Sequence, residues 1–83
     1  MKDLQETVDL MLSGKWEDRL VAEYWQTKIR YNKLHNTLVQ CDAGVLELDF
    51  AEEPLMRLQA SAMDDYLYRL EIRAARAGVN LDV

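Results

Sequence analysis

The chain has a single cysteine, a single proline and a single histidine, three glycines, and no apolar run approaching the roughly 20 residues that a membrane span needs. Each scarcity excludes something. Cys41 has no partner for an internal disulfide and no second ligand at metal-binding spacing, so it reads as a small apolar helix residue of a protein from a reducing compartment. Gly14, Gly44 and Gly78 fall between apolar periodic segments, where they punctuate; none belongs to a phosphate-cradling loop. His35 has no cysteine or carboxylate three or four residues away to complete a metal pair. Asp64-Asp65 and Glu52-Glu53 are tempting carboxylate pairs, but adjacent helical residues point in different directions and do not make an acid–base dyad. No catalytic residue, metal or cofactor is therefore expected, and no enzymatic activity.

Net positive charge is missing as well. Ten basic residues against fifteen acidic ones give −5, which argues against coating a DNA or RNA polymer or an anionic membrane. The N-terminal "MKDLQETVDLMLSGKW" carries acids through its apolar part and lacks the layout of a signal peptide, so a soluble, cytoplasmic chain is expected. At 83 residues it is a single domain, of a size at which one core stabilises only modestly and self-association is a common remedy.

What is present is helical periodicity. Leu4, Val8 and Leu12, with Met11 beside them, predict a short helix over about 3–12 that stops at Ser13-Gly14. From about Trp16 to Cys41, the residues Leu20, Tyr24, Thr27, Tyr31, Leu34, Leu38 and Cys41 recur at alternating steps of four and three, the seam of a helix packed lengthwise on another. A flanking stripe of Val21, Trp25 and Ile29 widens that apolar surface. A third helix is expected from Pro54, at the first helical position, to Ala77, with Leu55, Leu58, Ala62, Met63, Tyr66, Leu67, Leu70 and Ala74 on its apolar face. Between the long helices, "GVLELDF" alternates with period two but has no second strand to pair with, so an extended connector laid over the helices is expected. The prediction is all-α: a long antiparallel helical hairpin over about 16–77 with a short N-terminal helix. Trp25, Ile29, Leu67 and Ile72 exceed one partner's footprint and are expected to meet the first helix or another copy in a helical oligomer.

The acidic chain has one basic stretch. "RLVAEYWQTKIRYNKLH", residues 19–35, nets +3 before His35 is counted, which leaves −8 for the rest, and it carries Tyr24, Trp25 and Tyr31. Guanidiniums and ammoniums donate to phosphates, and bases stack on aromatic rings, so this stretch could hold an anionic, base-containing ligand. Its tyrosines equally suit a packing seam, and its cations equally suit a solvated face. Arg69, Arg73 and Arg76 form a second positive stripe, at i, i+4 and i+7, where cations also complement the helix dipole.

The run "RLVAEY…KLHNTL", followed by "LMRLQASAMDDYLYRLEIRA", resembles the small helical-hairpin domain shared by phage anti-CBASS cyclic-oligonucleotide sponges and anti-Thoeris sponge proteins. The matching features are Arg19-Leu20 with Glu23, Lys33-Leu34, Leu58-Gln59, Met63, Tyr66-Leu67, Leu70 and Arg73, spanning about 16–77. The resemblance implies a phage protein in the cytoplasm of the infected bacterium that binds cyclic dinucleotides or cyclic trinucleotides without cleaving them. It also implies a compact homo-oligomer, typically a hexamer, with ligand pockets between subunits. Arg19, Lys33 and Arg73 fall on matching basic positions and are the expected ligand-binding residues; Tyr24, His35 and Arg76 are candidates from their proximity alone. Thr27 departs from the family pattern at a seam position that is usually apolar, and the first helix and the connector lie outside the shared domain. The competing expectation is an acidic phage interaction module that occupies a basic surface of a host protein.

Overall fold

The computed structural model describes residues 3–82. A 3-10 turn, Leu4–Thr7, runs into the one-turn helix α1, Val8–Met11; the long helices α2, Trp16–Asp42, and α3, Glu52–Ala77, follow, and there is no strand among the described residues. No helix among them is long and apolar enough to cross a membrane.

The first element begins where Asp3 accepts the Glu6 N–H at 3.0 Å, which satisfies one of the donors a helix start leaves free. Its anchor is Thr7, only 1 % exposed. The Thr7 hydroxyl donates to the Leu4 carbonyl at 2.7 Å and accepts from the Gln26 amide at 3.1 Å, so its burial leaves no unpaired polar atom. That contact sets the segment on the Gln26 face of α2, where Ala22 and Ile29, four and three positions away, are buried. Leu12, expected on the packing stripe, is 75 % exposed instead, because the helical turn ends at Met11 and the chain already swings toward α2. Ser13 then organises the start of α2: its hydroxyl accepts from Lys15 N–H and donates to Asp18, while its carbonyl accepts from Arg19.

The two long helices meet with rising numbers on α2 against falling numbers on α3. Glu23 accepts from the Tyr66 hydroxyl, Tyr24 donates to Glu71 at 3.1 Å, and Asp42 pairs with Arg57 at 2.7 Å. Leu20, Tyr24, Leu67, Leu70 and Ala74 form the core. Trp25 packs against it under the C-terminal residues. Gly78 adopts a left-handed conformation, φ 70°, and turns the chain back so that Val79 and Leu81 close over the core and the Trp25 indole donates to the Leu81 carbonyl at 2.6 Å. Leu67, expected at an outer contact, sits in the core itself. Trp25→Phe keeps most of the ring contact and deletes this one donor. It is expected to lower unfolding stability by about 1 kcal/mol in urea titration.

Two expectations about the connector fail. Helix α3 starts at Glu52 rather than Pro54, because the Asp49 carboxylate accepts from Ala51 N–H and the Asp49 carbonyl from Glu52 and Glu53. Pro54 therefore occupies the third helical position, where a missing N–H still costs nothing. Nor does the connector lie over the helices: Val45 is exposed and Phe50 is 95 % exposed. Gly44, φ 75°, ends α2 in a tight turn, and the Asp42–Arg57 pair holds the two helix ends together, so the short segment between them loops outward. The expected apolar face of α3 consequently divides, with Leu67, Leu70 and Ala74 buried and Leu55 and Leu58 exposed.

Candidate functional site

The Tyr24–Glu71 contact is a rung from which positions on both helices can be counted. Arg19 and Arg73 lie five and two positions to the same side of it, so at 1.5 Å per residue they are about 5 Å apart along the axis. They also share an edge. On α2, Arg19, Glu23 and Arg30 fall at i, i+4 and i+11; on α3, Tyr66 and Arg73 are two turns apart; and the Tyr66 hydroxyl donating to Glu23 places both stripes on one side of the helix pair. Arg30 and Arg73 are exposed and make no ion pair among the described residues, while Arg19 donates one bond to the Ser13 carbonyl. Arg19, Arg73 and Arg30 follow one another along this edge beside the tethered Glu23 carboxylate, which makes it an anion-attracting surface.

The other candidates sit elsewhere. Lys33, seven positions after Gln26 and fourteen after Arg19, shares Arg19's side of α2 but lies nine positions beyond the rung, about 16 Å from Arg73 along the axis. Arg76 is two positions past buried Ala74, about 200° around the helix, and so faces away from α2. Its nearest basic neighbour on that outer face, Arg69, pairs with Asp65 at 3.6 Å. Tyr24 is part of the core. Burial, reinforced by Glu71, pushes its phenol up to about 12 from the usual 10. A raised folded pKa means stability that is complete below pH 10 and lost as the pH rises through 12. The alkaline loss of stability is expected to shrink in Tyr24→Phe.

His35 belongs to the opposite edge. It stacks on Tyr31 with centroids 5.7 Å apart and planes at 17°, and the Lys28 ammonium lies 5.8 Å from the centroid of the same Tyr31 ring. Beside that stack is a groove of about 740 Å³, lined by Lys28, Leu58, Asp64, Asp65, Tyr68 and Glu71 among others. Its carboxylates make it unsuited by charge to take a phosphate directly. The sequence named Arg19 and Arg73 as ligand candidates, Arg30 only as part of the basic stretch, and Glu23 and Tyr66 only as features of the resemblance. The steps of seven from Glu23 to Arg30 and from Tyr66 to Arg73 were the available signal, although nothing in them shows that the two stripes meet.

Residues 14–76, which contain both edges, match the family model described as Sequestin. The chain belongs to the Sequestin family. No curated protein and no solved structure matches it significantly. The Sequestin match contains Arg19, Tyr24, Arg30, Lys33, His35, Arg73 and Arg76, and it leaves out the Thr7 anchor as well as Val79 and Leu81 over Trp25. The matched segment is therefore the helix pair with its edges, and the segments on either side of it close the core.

Proposed function

We propose that this Sequestin is a phage-encoded, non-catalytic sponge that sequesters cyclic di- or trinucleotide immune second messengers and so blocks CBASS-type defence in the cytoplasm of the infected bacterium. The observation that carries the reading is the juxtaposition of Arg19 and Arg73 on one edge of a Sequestin helix pair, with Arg73 in no ion pair among the described residues. A ligand with two or three phosphates would take charge-assisted hydrogen bonds from these guanidiniums. Tyr66, exposed on that edge, offers one wall for its bases, and a second wall from another copy of the antiparallel hairpin in a homo-oligomer, a hexamer by resemblance, would enclose them. Holding such a ligand requires no acid, base or nucleophile.

Isothermal titration of the full chain against cyclic dinucleotides, cyclic trinucleotides and the signals of the Thoeris system tests this. Stoichiometric binding with recovery of intact ligand on denaturation is expected; no heat from any of them at micromolar concentrations rejects it. A second reading, an acidic module that occupies a basic surface on a host protein, is favoured by one feature, the Asp64, Asp65 and Glu71 groove. It predicts a host partner whose capture survives substitution of Arg19, Lys33 and Arg73.

A further inference from the structure

An acid stands within the arginine edge, and phosphate binding alone does not account for it. Glu23 is a half-buried carboxylate among cations, and its charge repels the phosphates that Arg19 and Arg73 attract. No ion pair among the described residues occupies it. Tyr66 donates to one of its oxygens, Oε1, and the other carries no bond among the described residues. A carboxylate accepts hydrogen bonds and donates none, so the second oxygen suits a donor on the ligand.

Heights along the helix pair indicate which donor. Arg19 and Arg73 lie about 8 and 3 Å to one side of the Tyr24–Glu71 rung, and Glu23 about 1.5 Å to that same side. Tyr66 is rooted about 8 Å to the other side, next to Arg30, and its hydroxyl reaches back to Glu23. Its ring, 42 % exposed, therefore lies along the edge beyond the carboxylate. From Arg19 onward the edge presents guanidiniums, then a carboxylate, then an aromatic face. A nucleotide has the same order of parts: phosphate, ribose, base. With its phosphate on Arg19 and Arg73 and its base on Tyr66, it brings its ribose to Glu23.

We propose that Glu23 accepts a hydrogen bond from the free ribose hydroxyl of the bound nucleotide and so makes this site selective for ribonucleotides over deoxyribonucleotides. Each ribose of a cyclic oligoribonucleotide keeps one hydroxyl outside the phosphodiester ring, close to the phosphate, whereas the donors on a base change from one base to the next. Selection at Glu23 is thus selection for the sugar, whatever the base. Tyr66 is a positioning residue here, since its hydroxyl aims the carboxylate while its ring faces the base. The inference rests on the preceding reading of the edge as a cyclic-nucleotide site.

The test is titration calorimetry of the full chain with 3′,5′-linked cyclic diadenylate, cyclic diguanylate and cyclic triadenylate, each in ribo and 2′-deoxy form. Wild type is expected to bind the ribo form about 10-fold or more tighter than the deoxy form, as loss of one hydrogen bond to a charged group implies. Glu23→Ala is expected to bind both forms alike, and the deoxy form at least as tightly as wild type does, because a repelling charge is gone. Glu23→Gln keeps the shape and an acceptor, and a preference of about three-fold is expected to remain. A Glu23 that only ties Tyr66 to α2 would, on removal, weaken both forms equally and leave their ratio unchanged. That result overturns the inference, and so does equal affinity of the wild type for the two forms. No binding of any ribo form rejects the cyclic-nucleotide reading and this inference with it; binding without preference for the sugar rejects this inference alone.

Discussion

Arg19→Ala combined with Arg73→Ala is expected to weaken binding of the cognate nucleotide by more than ~100-fold, with each single change costing roughly 10-fold or more. The basis is the strength of a hydrogen bond to an ionised group, about 1.5–3 kcal/mol, which is one to two decades of affinity per lost contact. Neither change should harm the fold. Arg73 is exposed and makes no ion pair among the described residues, and Arg19 contributes a single exposed bond to Ser13. Titration calorimetry on the two single variants and the double variant measures the loss, and unchanged thermal unfolding certifies that binding, not folding, has been altered. Lys33→Ala is the informative comparison. Lys33 shares Arg19's side of α2 but stands about 16 Å from Arg73 along the axis, so an affinity within about three-fold of wild type is expected if the phosphates sit between Arg19 and Arg73. A loss as large as that of Arg73→Ala would mean that the pocket takes Lys33 from a neighbouring copy.

The difference between Arg73 and Lys33 also illustrates which parts of this protein could be read in its sequence. Within α2, the four-three spacing named Leu20, Tyr24 and Leu38 as packing residues, and all three are buried; the helix bounds were legible from the same pattern. Such a pattern reports one helix at a time. The side of the pair that Arg19 and Arg73 share depends on how the two helices are rotated against each other, and the Tyr66–Glu23 contact that reveals it joins residues far apart in sequence. The closure over Trp25 was hidden for a similar reason. Val79 and Leu81 are two isolated apolar residues after a helix-ending glycine, too few to register as an element, and only the left-handed turn at Gly78 carries them to the core. Pro54 misled because it is permitted throughout the first turn, whereas Asp49 decides where that turn begins. The α3 face was over-read because Leu55 and Leu58 share the periodicity of Leu67 and Leu70 without sharing their burial.

That last pair of leucines gives the second large effect. Leu70→Ala is expected to destabilise the chain by about 2–5 kcal/mol, as deletion of a fully buried leucine does when its surroundings cannot collapse into the space. Leu70 is 1 % exposed, packed among Leu20, Tyr24, Leu67 and Ala74. Domains have about 5–15 kcal/mol in total, so a loss of this size leaves a core this small near its unfolding threshold. Leu58→Ala makes the same chemical change on the same helix at a site 69 % exposed. In an isolated chain it should cost within about 0.5 kcal/mol. If copies associate through the groove that Leu58 lines, its truncation removes apolar surface from the contact, and the cost then depends on protein concentration because assembly stabilises the folded state by mass action. Urea unfolding of both variants over a hundred-fold range of concentration separates the two cases. Leu70→Ala should be severe at every concentration, whereas the deficit of Leu58→Ala should grow as the wild type assembles. A deficit for Leu58→Ala that stays constant would count against burial of the groove by a second copy.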